Sequence, residues 1–488
     1  MLAAPLSTRA RAGESSAPMS PPATHLLRRW IVVLVPGLLL YFVPLPGFSA
    51  AQQHLFAIFA GTIVALVARP VPMGVSVFLA MTLLLLTGTL SIEKALSGFA
   101  NTTVWLVFSA FLFARAISTT QLGVRIAYLF ISWFGHTSLT LGYSVAISDL
   151  VLAPVVPSDT ARGGGIMAPI VRSLAKALDS EPGPSANRIG AYLTLVGFHC
   201  TYAASAMFLT GMAANPLIAS FAHTIAGVEM TWARWALAAS LPGLCTFALM
   251  PWLLHQLSPP DLRDTEHARA HARDKLRSIG PMSRHESILV VIMLAVVTGW
   301  VTAPWHGLSN TAVALAGVCA ILLCGVVTWE ELLGDKMAWD ALIWFAPLLM
   351  MAEQLNEQGV IPLISGQVFR HLHGWPWALA LAALVLAYVY AHYTFASMTA
   401  HVSALYPGFL GAALAAGVPP PLAAWSLAFF SNLNAGITHY GTGSAPVYFG
   451  AGYVRQSTWW SIGFIVSVVN LAIWLGVGLP WWRAIGIW

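Results

Sequence analysis

The sequence contains very few charged residues. Asp, Glu, Lys and Arg make up 8% of the 488 residues, against roughly 25% in an average soluble domain. Lys and Arg number 23 and Asp and Glu 18, and eleven of these charges fall between Asp261 and Glu286. The rest of the chain has too few ions to coat a globular surface, while 58% of all residues are apolar. These proportions exclude an ordinary water-soluble fold and indicate that most of the chain lies in lipid.

The sequence also lacks the patterns that hold disulfides, metals or nucleic acids. Its four cysteines lie in apolar runs without a CxxC or Cys/His spacing, so they are predicted to be small buried side chains: Cys200, Cys245, Cys319 and Cys324. The net charge of +5 comes from basic residues that follow loops and form no stripe interleaved with aromatic residues. We therefore predict no metal, no cofactor and no nucleic-acid partner.

Apolar runs near the length that crosses a bilayer, about 20 residues, occur throughout the chain. We predict a disordered tail at 1–29, a first membrane half at 30–254, a loop at 255–286 and a second membrane half at 287–488. The tail and the loop are basic, so the positive-inside bias places both on the cytoplasmic side of a bacterial inner membrane. Three tryptophans near the C-terminus suit an interfacial belt: Trp481, Trp482 and Trp488. The predicted fold class is an all-α polytopic membrane protein.

The two halves carry an internal repeat. Trp105 and Trp344 are 239 residues apart, and the same offset relates Ser158/Ser397, Thr160/Thr399, Ala161/Ala400, Gly197/Gly436, Ser205/Ser444, Ala206/Ala445 and Gly211/Gly450. One constant offset indicates duplication. Because an even number of crossings precedes the basic loop, a repeated unit with an odd number of spans would lie inverted relative to its copy, after one extra helix at the start. Inverted repeats of this kind are typical of secondary transporters.

A polar segment from Pro157 to Gly165 interrupts the apolar runs of the first half. Polar backbone at membrane depth persists only where it is buried in protein or lines a cavity. Ser158 and Thr160 supply hydroxyls, the following glycines permit close approach of the main chain, and a helix beginning there would direct free N–H groups at an anion. The second half repeats this pattern from Ser397 to His401. Two opposed anion-binding segments are therefore predicted to face one site.

Each polar segment also has a purely structural interpretation. Ser and Thr in membrane helices often bond only to a backbone carbonyl, and glycines can serve helix packing. The match in both copies favours a binding site, because each ends in a potentially cationic side chain four residues beyond the Ser, Arg162 or His401. An Arg at membrane depth needs a partner or a hydrated cavity, which an anionic substrate would provide.

Three motifs, PSDTARGGG at 157–165, SMTAH at 397–401 and THYGTGSAP at 438–446, resemble the divalent anion/sodium symporter family, and in particular its bacterial dicarboxylate exchangers. The resemblance extends from about residue 30 to the C-terminus. It implies a homodimer whose protomers each combine a scaffold domain with an elevator-type transport domain. It also implies broken helices and two re-entrant hairpins, tipped by Ser-Asn-Thr-like sequences that bind substrate carboxylates.

The same resemblance assigns the site residues. The substrate-binding residues are Ser158, Asp159 and Thr160 in the first tip, Ser397, Met398 and Thr399 in the second, and Thr442 and Gly443 in a facing segment. The unwound backbone of the facing segments is expected at Gly197 and Gly436.

The sequence departs from the family pattern at the middle of both tips, where Asp159 and Met398 replace asparagine. In sodium-coupled members those asparagines help to hold substrate and ion, so their loss weakens the case for sodium coupling. Arg162 and His401 lie where such members place sodium, and fixed charges there could replace the ion. Asp159 would repel a substrate carboxylate unless it pairs with Arg162 or is protonated, and the sequence leaves both alternatives open.

Other polar residues in the chain receive structural interpretations. Asp149, Arg115 and Glu353 lie in apolar surroundings and are expected to form structural pairs. His267 and His271 are one helical turn apart in the basic loop and are expected on a solvated helix face. For His199 and His439, orientation of the backbone and substrate contact are equally compatible with the sequence.

The predicted function is exchange of di- and tricarboxylates of the succinate, malate, 2-oxoglutarate, citrate or tartrate class. The alternative is sodium- or proton-coupled symport of the same anions. An intramembrane hydrolase using Ser158, Asp159 and His401 is a remote alternative, because the chain repeats one Ser-x-Thr-Ala-cation unit where a catalytic triad needs three different roles. The two anion-binding segments offer mainly hydroxyls and backbone N–H groups, which suit many di- and tricarboxylates, so the sequence does not identify the physiological substrate pair.

Overall fold

A computed structural model describes residues 23–363 and 374–488. Within these ranges all the regular secondary structure is helical, apart from one isolated β-bridge between Thr137 and Asp264. In the described part of the chain, six helices are long and apolar enough to cross a membrane. The predicted all-α class with several apolar helices is confirmed. Residues 1–22 of the predicted tail lie outside the described residues, and the first helix already begins at Ala23.

The helices of the first half are α1 (Ala23–Phe42), α2 (Ala50–Ala68), α3 (Met73–Leu86), α4 (Ile92–Leu96), α5 (Thr102–Thr120), α6 (Leu122–Phe134), α7 (Ser138–Leu152), α8 (Ala168–Ala177), α9 (Gly190–Met207), α10 (Asn215–Ala226) and α11 (Trp232–Leu257). A π-helical turn, Thr160–Met167, leads into α8. The predicted loop contains α12 (Glu266–Ile279).

The helices of the second half are α13 (Arg284–Val301), α14 (Ala303–His306), α15 (Asn310–Leu323), α16 (Trp329–Leu333), α17 (Lys336–Glu357), α18 (Trp377–Ala391), α19 (Met398–Ala415), α20 (Pro420–Leu433), α21 (Ala445–Phe449), α22 (Gln456–Gly476) and α23 (Gly478–Ala484). The predicted repeat is visible in this order. For example, α7 and α18 both begin and end at positions 239 residues apart.

The offset of 239 does not persist beyond the hairpins. The connection from α8 to α9 covers 178–189, whereas that from α19 to α20 covers only 416–419. From there the offset is 230, so that α9 (from Gly190) matches α20 (from Pro420), and α10 (from Asn215) matches α21 (from Ala445). The predicted equivalences Gly197/Gly436, Ser205/Ser444, Ala206/Ala445 and Gly211/Gly450 were therefore wrong, and Gly211 corresponds to Gly441.

The helices pack into two groups that each take members from both halves of the chain. In one, which we call the scaffold group, α1–α5 pack with α13, α15 and α17. In the other, the hairpin group, α6–α12 pack with α18–α23. The groups touch through α2 against α19, through α10 against α5 and α17, through α11 against α13, and where α5 turns into α6. Sequence halves and packing units are thus different divisions of the molecule.

The basic loop is a docked helix. Residues Ala268 and Ala272 of α12 are fully buried against the hairpin group, and Arg269 donates a hydrogen bond to the Ser132 carbonyl at 3.0 Å. His267 is exposed, as predicted for a solvated face, but His271 Nε2 lies 2.9 Å from Ser173 Oγ on α8. Burial lowers the pKa of His271, and the neighbouring Lys275 lowers it further.

Several side chains lie in surroundings different from those predicted. Cys200 is buried, but Cys245 is half-buried and Cys319 and Cys324 are exposed; all four thiols are free. Trp482 is fully buried and donates to the Ala238 carbonyl, so it packs inside the protein and not in an interfacial belt. A cysteine is small enough for either environment, and the apolar runs do not distinguish a lipid-facing position from a core position.

Candidate functional site

The tips of the two hairpins meet at one cavity of about 260 Å³. Its lining includes all eight residues predicted to bind substrate: Ser158, Asp159, Thr160, Ser397, Met398, Thr399, Thr442 and Gly443. The first three and the second three lie in different halves of the chain. The repeat therefore places two sequence-distant polar segments around a single space.

A serine caps the N-terminus of the helix at each polar tip. Ser158 Oγ accepts a hydrogen bond from the Ala161 amide at 3.1 Å, and Ser397 Oγ accepts one from the Ala400 amide at 3.3 Å. A Ser at the start of a helix stabilises the first turn in this way and leaves its own hydroxyl hydrogen free to donate. The neighbouring first-turn N–H groups and the positive end of the helix dipole favour an anion at each tip.

Two short non-helical segments close the cavity opposite the tips. Thr442 and Gly443 precede α21, and the equivalent residues Met212 and Ala213 precede α10. Gly443 lies directly against Thr160: a Cβ added at Gly443 would overlap that side chain, with Thr160 Cγ2 at 3.1 Å. The close approach of backbone to hydroxyl at this point requires glycine.

Asp159 is buried, with an exposed fraction of 7%, and its carboxylate faces the segment before α21. Thr442 Oγ1 and Ser444 Oγ both donate hydrogen bonds to Asp159 Oδ2, the latter at 3.3 Å. The predicted alternative in which Asp159 pairs with Arg162 is not found, since the partner of Arg162 is Asp149. The two hydroxyls stabilise the carboxylate by hydrogen bonding in place of a cation.

Arg162 is fully buried behind the first tip and does not line the cavity. Its Nε donates to Asp149 Oδ1 at 3.0 Å, which confirms a structural pair for Asp149. The remaining guanidinium donors reach the carbonyls of Val156, Thr201 and Gly211 and the hydroxyl of Ser205, at 2.8–3.1 Å. A neutral ion pair with satisfied donors is the form in which a charge can be buried at low cost.

The second hairpin replaces this ion pair with rings. At an offset of 239, Tyr388 matches Asp149 and His401 matches Arg162. The two rings pack edge to face with centroids 4.4 Å apart, and both residues are fully buried. His401 Nε2 lies 3.2 Å from Asn434 Nδ2, and Tyr388 Oη lies 2.7 Å from Ser431 Oγ. Like Arg162, His401 supports its tip from behind and does not line the cavity.

The predicted unwound glycines lie elsewhere. Gly197 is in the middle of α9, so its assignment to an unwound segment was wrong, and Gly436 lies in a 3₁₀ turn that ends α20. Each glycine packs under a tyrosine ring: Tyr448 covers Gly197 and Tyr202 covers Gly436. The cause of the error is the shorter connection before α20, which shifts the true equivalences by nine residues.

The remaining predicted polar residues are away from the cavity. His199 Nδ1 lies 2.7 Å from the Tyr202 hydroxyl, and His439 Nδ1 accepts a hydrogen bond from Trp460 at 3.0 Å. Glu353 accepts a hydrogen bond from Asn101 at 2.9 Å. Within the described ranges Arg115 forms no ion pair, so the structural pairing predicted for it is not found.

Sequence reasoning missed the wall that the scaffold group contributes to the cavity. This wall consists of Arg69, Met73, Phe111, Met337, Asp340, Ala341 and Trp344. Arg69 and Asp340 were the available signals, because both are charged residues at the ends of apolar runs. Their convergence depends on how the two groups pack, which the repeat pattern does not specify.

The chain is similar to known transport proteins along nearly its whole length. A family described as "Sodium:sulfate symporter transmembrane region" matches residues 23–488. The "Putative malate transporter YflS" of Bacillus subtilis is 44% identical over 460 residues, which cover 94% of this chain and 96% of the relative. "Dicarboxylate transporter 1, chloroplastic" of Spinacia oleracea is 44% identical over 93% of this chain and 81% of its own length. "Inner membrane protein YbhI" of Escherichia coli is 34% identical over 95% and 98%, respectively.

A solved structure shares the fold. The YdaH transporter of Alcanivorax borkumensis superposes with a TM-score of 0.52 at 15% sequence identity, covering 95% of this chain and 99% of that one. At this identity the likeness concerns the fold alone. The full-length family match, the relatives at 34–44% identity and the three motifs around one cavity agree. The chain is a multi-pass membrane transporter and belongs to the sodium:sulfate symporter family, also called the divalent anion/sodium symporter family.

Proposed function

We propose that the protein exchanges di- and tricarboxylate anions across the bacterial inner membrane. The observation that carries the proposal is the convergence of both hairpin tips on one cavity, each tip offering a capping hydroxyl and a helix N-terminus. Two separated anion-binding ends suit a substrate with a carboxylate at each end. Drug-sized ligands occupy pockets of roughly 300–1,000 Å³, and a cavity of about 260 Å³ suits a small organic acid.

The relatives support this substrate class. Their names include a malate transporter and two chloroplast dicarboxylate transporters from Spinacia oleracea, at 42–44% identity. Malate and other four-carbon dicarboxylates are therefore the first substrates to test. Citrate and other tricarboxylates remain within the proposed class, because hydroxyl and backbone hydrogen-bond donors do not distinguish an anion with two carboxylates from one with three.

The surroundings of Arg162 support exchange in preference to sodium symport. A bound sodium ion takes oxygen ligands, mostly carbonyls, hydroxyls and carboxylates. Arg162 gathers such a set behind the first tip: three carbonyls, one hydroxyl and the Asp149 carboxylate. We propose that Arg162 in the first hairpin and His401 in the second occupy the places of coupling cations. A hairpin tip that is held in place by one of the protein's own side chains can bind substrate without first binding a sodium ion.

The two packing groups support an elevator-type movement. The hairpin group holds both tips, and it touches the scaffold group through far fewer helix pairings than join the helices within each group. We propose that the loaded hairpin group slides along the scaffold group and exposes the cavity on the other side. We also propose a homodimer, which the family resemblance supports, with α12 and the N-terminus on the cytoplasmic side, which the basic residues of α12 support.

Sodium-coupled symport is the second candidate, favoured by the description of the matching family. Purified protein in liposomes separates the two. Uptake of labelled malate is measured with and without internal malate, and with and without external sodium. Exchange requires internal dicarboxylate and is indifferent to sodium, whereas sodium-driven uptake into empty liposomes would contradict exchange. Failure of malate, succinate, 2-oxoglutarate and citrate to move under any condition would contradict the substrate class.

A further inference from the structure

Arg69 occupies a fixed and unusual position at the end of α2. Its backbone is left-handed, with φ 49° and ψ 56°, a conformation that residues other than glycine seldom adopt. The amide donates to the Ala65 carbonyl at 2.8 Å, and the Arg69 carbonyl accepts a hydrogen bond from Arg29 at 3.0 Å. Pro70 follows it directly, and Pro72 comes two residues later. The surrounding scaffold group therefore holds this residue in place.

The Arg69 side chain crosses from the scaffold group to the hairpin group. Its Nη2 donates to the Ala396 carbonyl at 2.9 Å, and Ala396 immediately precedes the tip residue Ser397. Arg69 lines the binding cavity, and it also lines an adjoining cavity of about 440 Å³ that ends at Ser397. One guanidinium thus contacts the second tip and reaches the space where substrate is proposed to bind.

Arg69 is also the cation of the cavity wall. Among the described residues that line the cavity, the charged side chains are Arg69, Asp159 and Asp340. Arg162 lies behind the first tip and is neutralised by Asp149. A dicarboxylate entering this space meets two carboxylates, and Arg69 supplies the positive charge that attracts it.

We propose that Arg69 positions the transported anion on one face of the membrane only. Its hydrogen bond to Ala396, which we call the latch, ties the second tip to the scaffold group. Its positive charge attracts a substrate carboxylate on the face where the cavity opens. This inference rests on the proposed function. Because Arg69 belongs to the scaffold group, it does not travel with the hairpin group. Movement of the tips breaks the hydrogen bond between Arg69 and the Ala396 carbonyl, while the guanidinium stays with the scaffold group. The substrate therefore contacts Arg69 on one face of the membrane only.

Transport measured separately from each face tests this asymmetry. Right-side-out and inside-out membrane vesicles present opposite faces to external malate. Arg69→Gln is expected to raise the KM about tenfold from the face that carries Arg69, as loss of a charged hydrogen bond does, with little change from the other face. Arg69→Lys keeps the charge and is expected to recover part of the affinity. Arg28→Gln removes an exposed positive charge from α1 that lines neither cavity, so it is the matched control and is expected to leave both KM values unchanged.

A second measurement reports the latch without requiring transport. Arg69→Gly suits the left-handed backbone and removes only the side chain. Hydrogen exchange of the amides from Phe395 to Ala400 is expected to accelerate in Arg69→Gly and to stay unchanged in Arg28→Gln. Equal rises of KM on both faces, no rise of KM on either face, or unchanged hydrogen exchange of the tip amides would overturn the inference. If the wild type moves no dicarboxylate but the hydrogen-exchange rates change as expected, the proposed function is contradicted and the latch is supported.

Discussion

At the scale of single residues, the site is defined by how its charges are compensated. Asp149 and Arg162 neutralise each other at full burial, whereas Asp159 depends on the hydroxyls of Thr442 and Ser444. The sequence predicted that these polar residues belong to one region, but it could not predict which charges pair. Pairing depends on distances of a few ångström across the hairpin, which residue spacing alone does not fix.

Replacement of Asp159 by asparagine tests the cost of a carboxylate in an anion site. Asp159→Asn keeps one oxygen acceptor for Thr442 and Ser444, replaces the other oxygen with an amide nitrogen, and removes the negative charge facing the proposed substrate site. We expect the KM for malate to fall several-fold at pH 8, because repulsion between like charges disappears. Asp159→Leu removes the hydrogen-bond acceptors as well and serves as the control for packing. A higher KM in Asp159→Asn would show that the charge itself is required.

Removal of Arg162 tests the buried pair. Arg162→Ala leaves Asp149 buried without a partner, and breaking such a pair costs about 3–5 kcal/mol of stability, so the Tm in detergent is expected to fall sharply and exchange to stop. The double variant Arg162→Met, Asp149→Leu removes both charges and is expected to recover part of the Tm without recovering exchange. Arg277→Ala breaks an exposed Arg–Asp pair and should leave both quantities unchanged. Full exchange activity in the double variant would contradict a role for Arg162 in holding the tip.

At the scale of elements, the two hairpins are equivalent in length and starting position but differ in the connection to the next helix. Helices α7 and α18 match residue for residue, and the identical offset of the Ser and Thr positions made both tips predictable. The connection after the second hairpin is shorter, and no residue pattern marks a deletion between two apolar runs. The motif alone was sufficient to assign Thr442 and Gly443. Gly197 was paired with Gly436 by the constant offset, and it was therefore assigned to an unwound segment although it lies inside α9.

Closure of the tip against the segment before α21 depends on one glycine. Gly443→Ala places a Cβ in the space of Thr160 and is expected to reduce exchange at least tenfold, because an overpacked contact costs typically 1–3 kcal/mol. Gly165→Ala in the first hairpin meets no atom within 4 Å and is the matched control. Rates of labelled malate exchange in liposomes provide the measurement. Wild-type rates in Gly443→Ala would show that the tip and this segment do not pack closely during transport.

At the scale of the whole molecule, the division into two packing groups is the property that sequence could not provide. The repeat was detectable because duplicated motifs keep their spacing, but each packing group mixes helices from both copies. The scaffold wall of the cavity, including Arg69 and Asp340, results from this mixing. Only tertiary packing brings residues from the ends of α2 and α17 to the tips.

A disulfide across the group boundary tests whether the groups move. Asn356 on α17 donates to the Thr224 carbonyl on α10 at 3.0 Å, so we choose these two positions for a cysteine pair that would cross-link the scaffold group to the hairpin group. In a background without the native cysteines, oxidation is expected to stop exchange and reduction to restore it. Cysteines at Thr102 and Thr311 lie within the scaffold group, where the Thr311 hydroxyl contacts the Thr102 carbonyl at 2.9 Å, and their cross-link should leave exchange intact. Unchanged exchange in the first cross-linked pair would contradict sliding.

The buried pair of Arg162 and Asp149 also has an electrical consequence. A lone charge carried across the membrane experiences about 2.3 kcal/mol of work per 100 mV of transmembrane potential. Guanidinium and carboxylate lie in the same hairpin and move as a neutral unit, so the potential does no net work on them. Under the proposed exchange, the voltage sensitivity of the carrier would then be set by its cargo and Asp159, and swapping two dianions would be electrically silent.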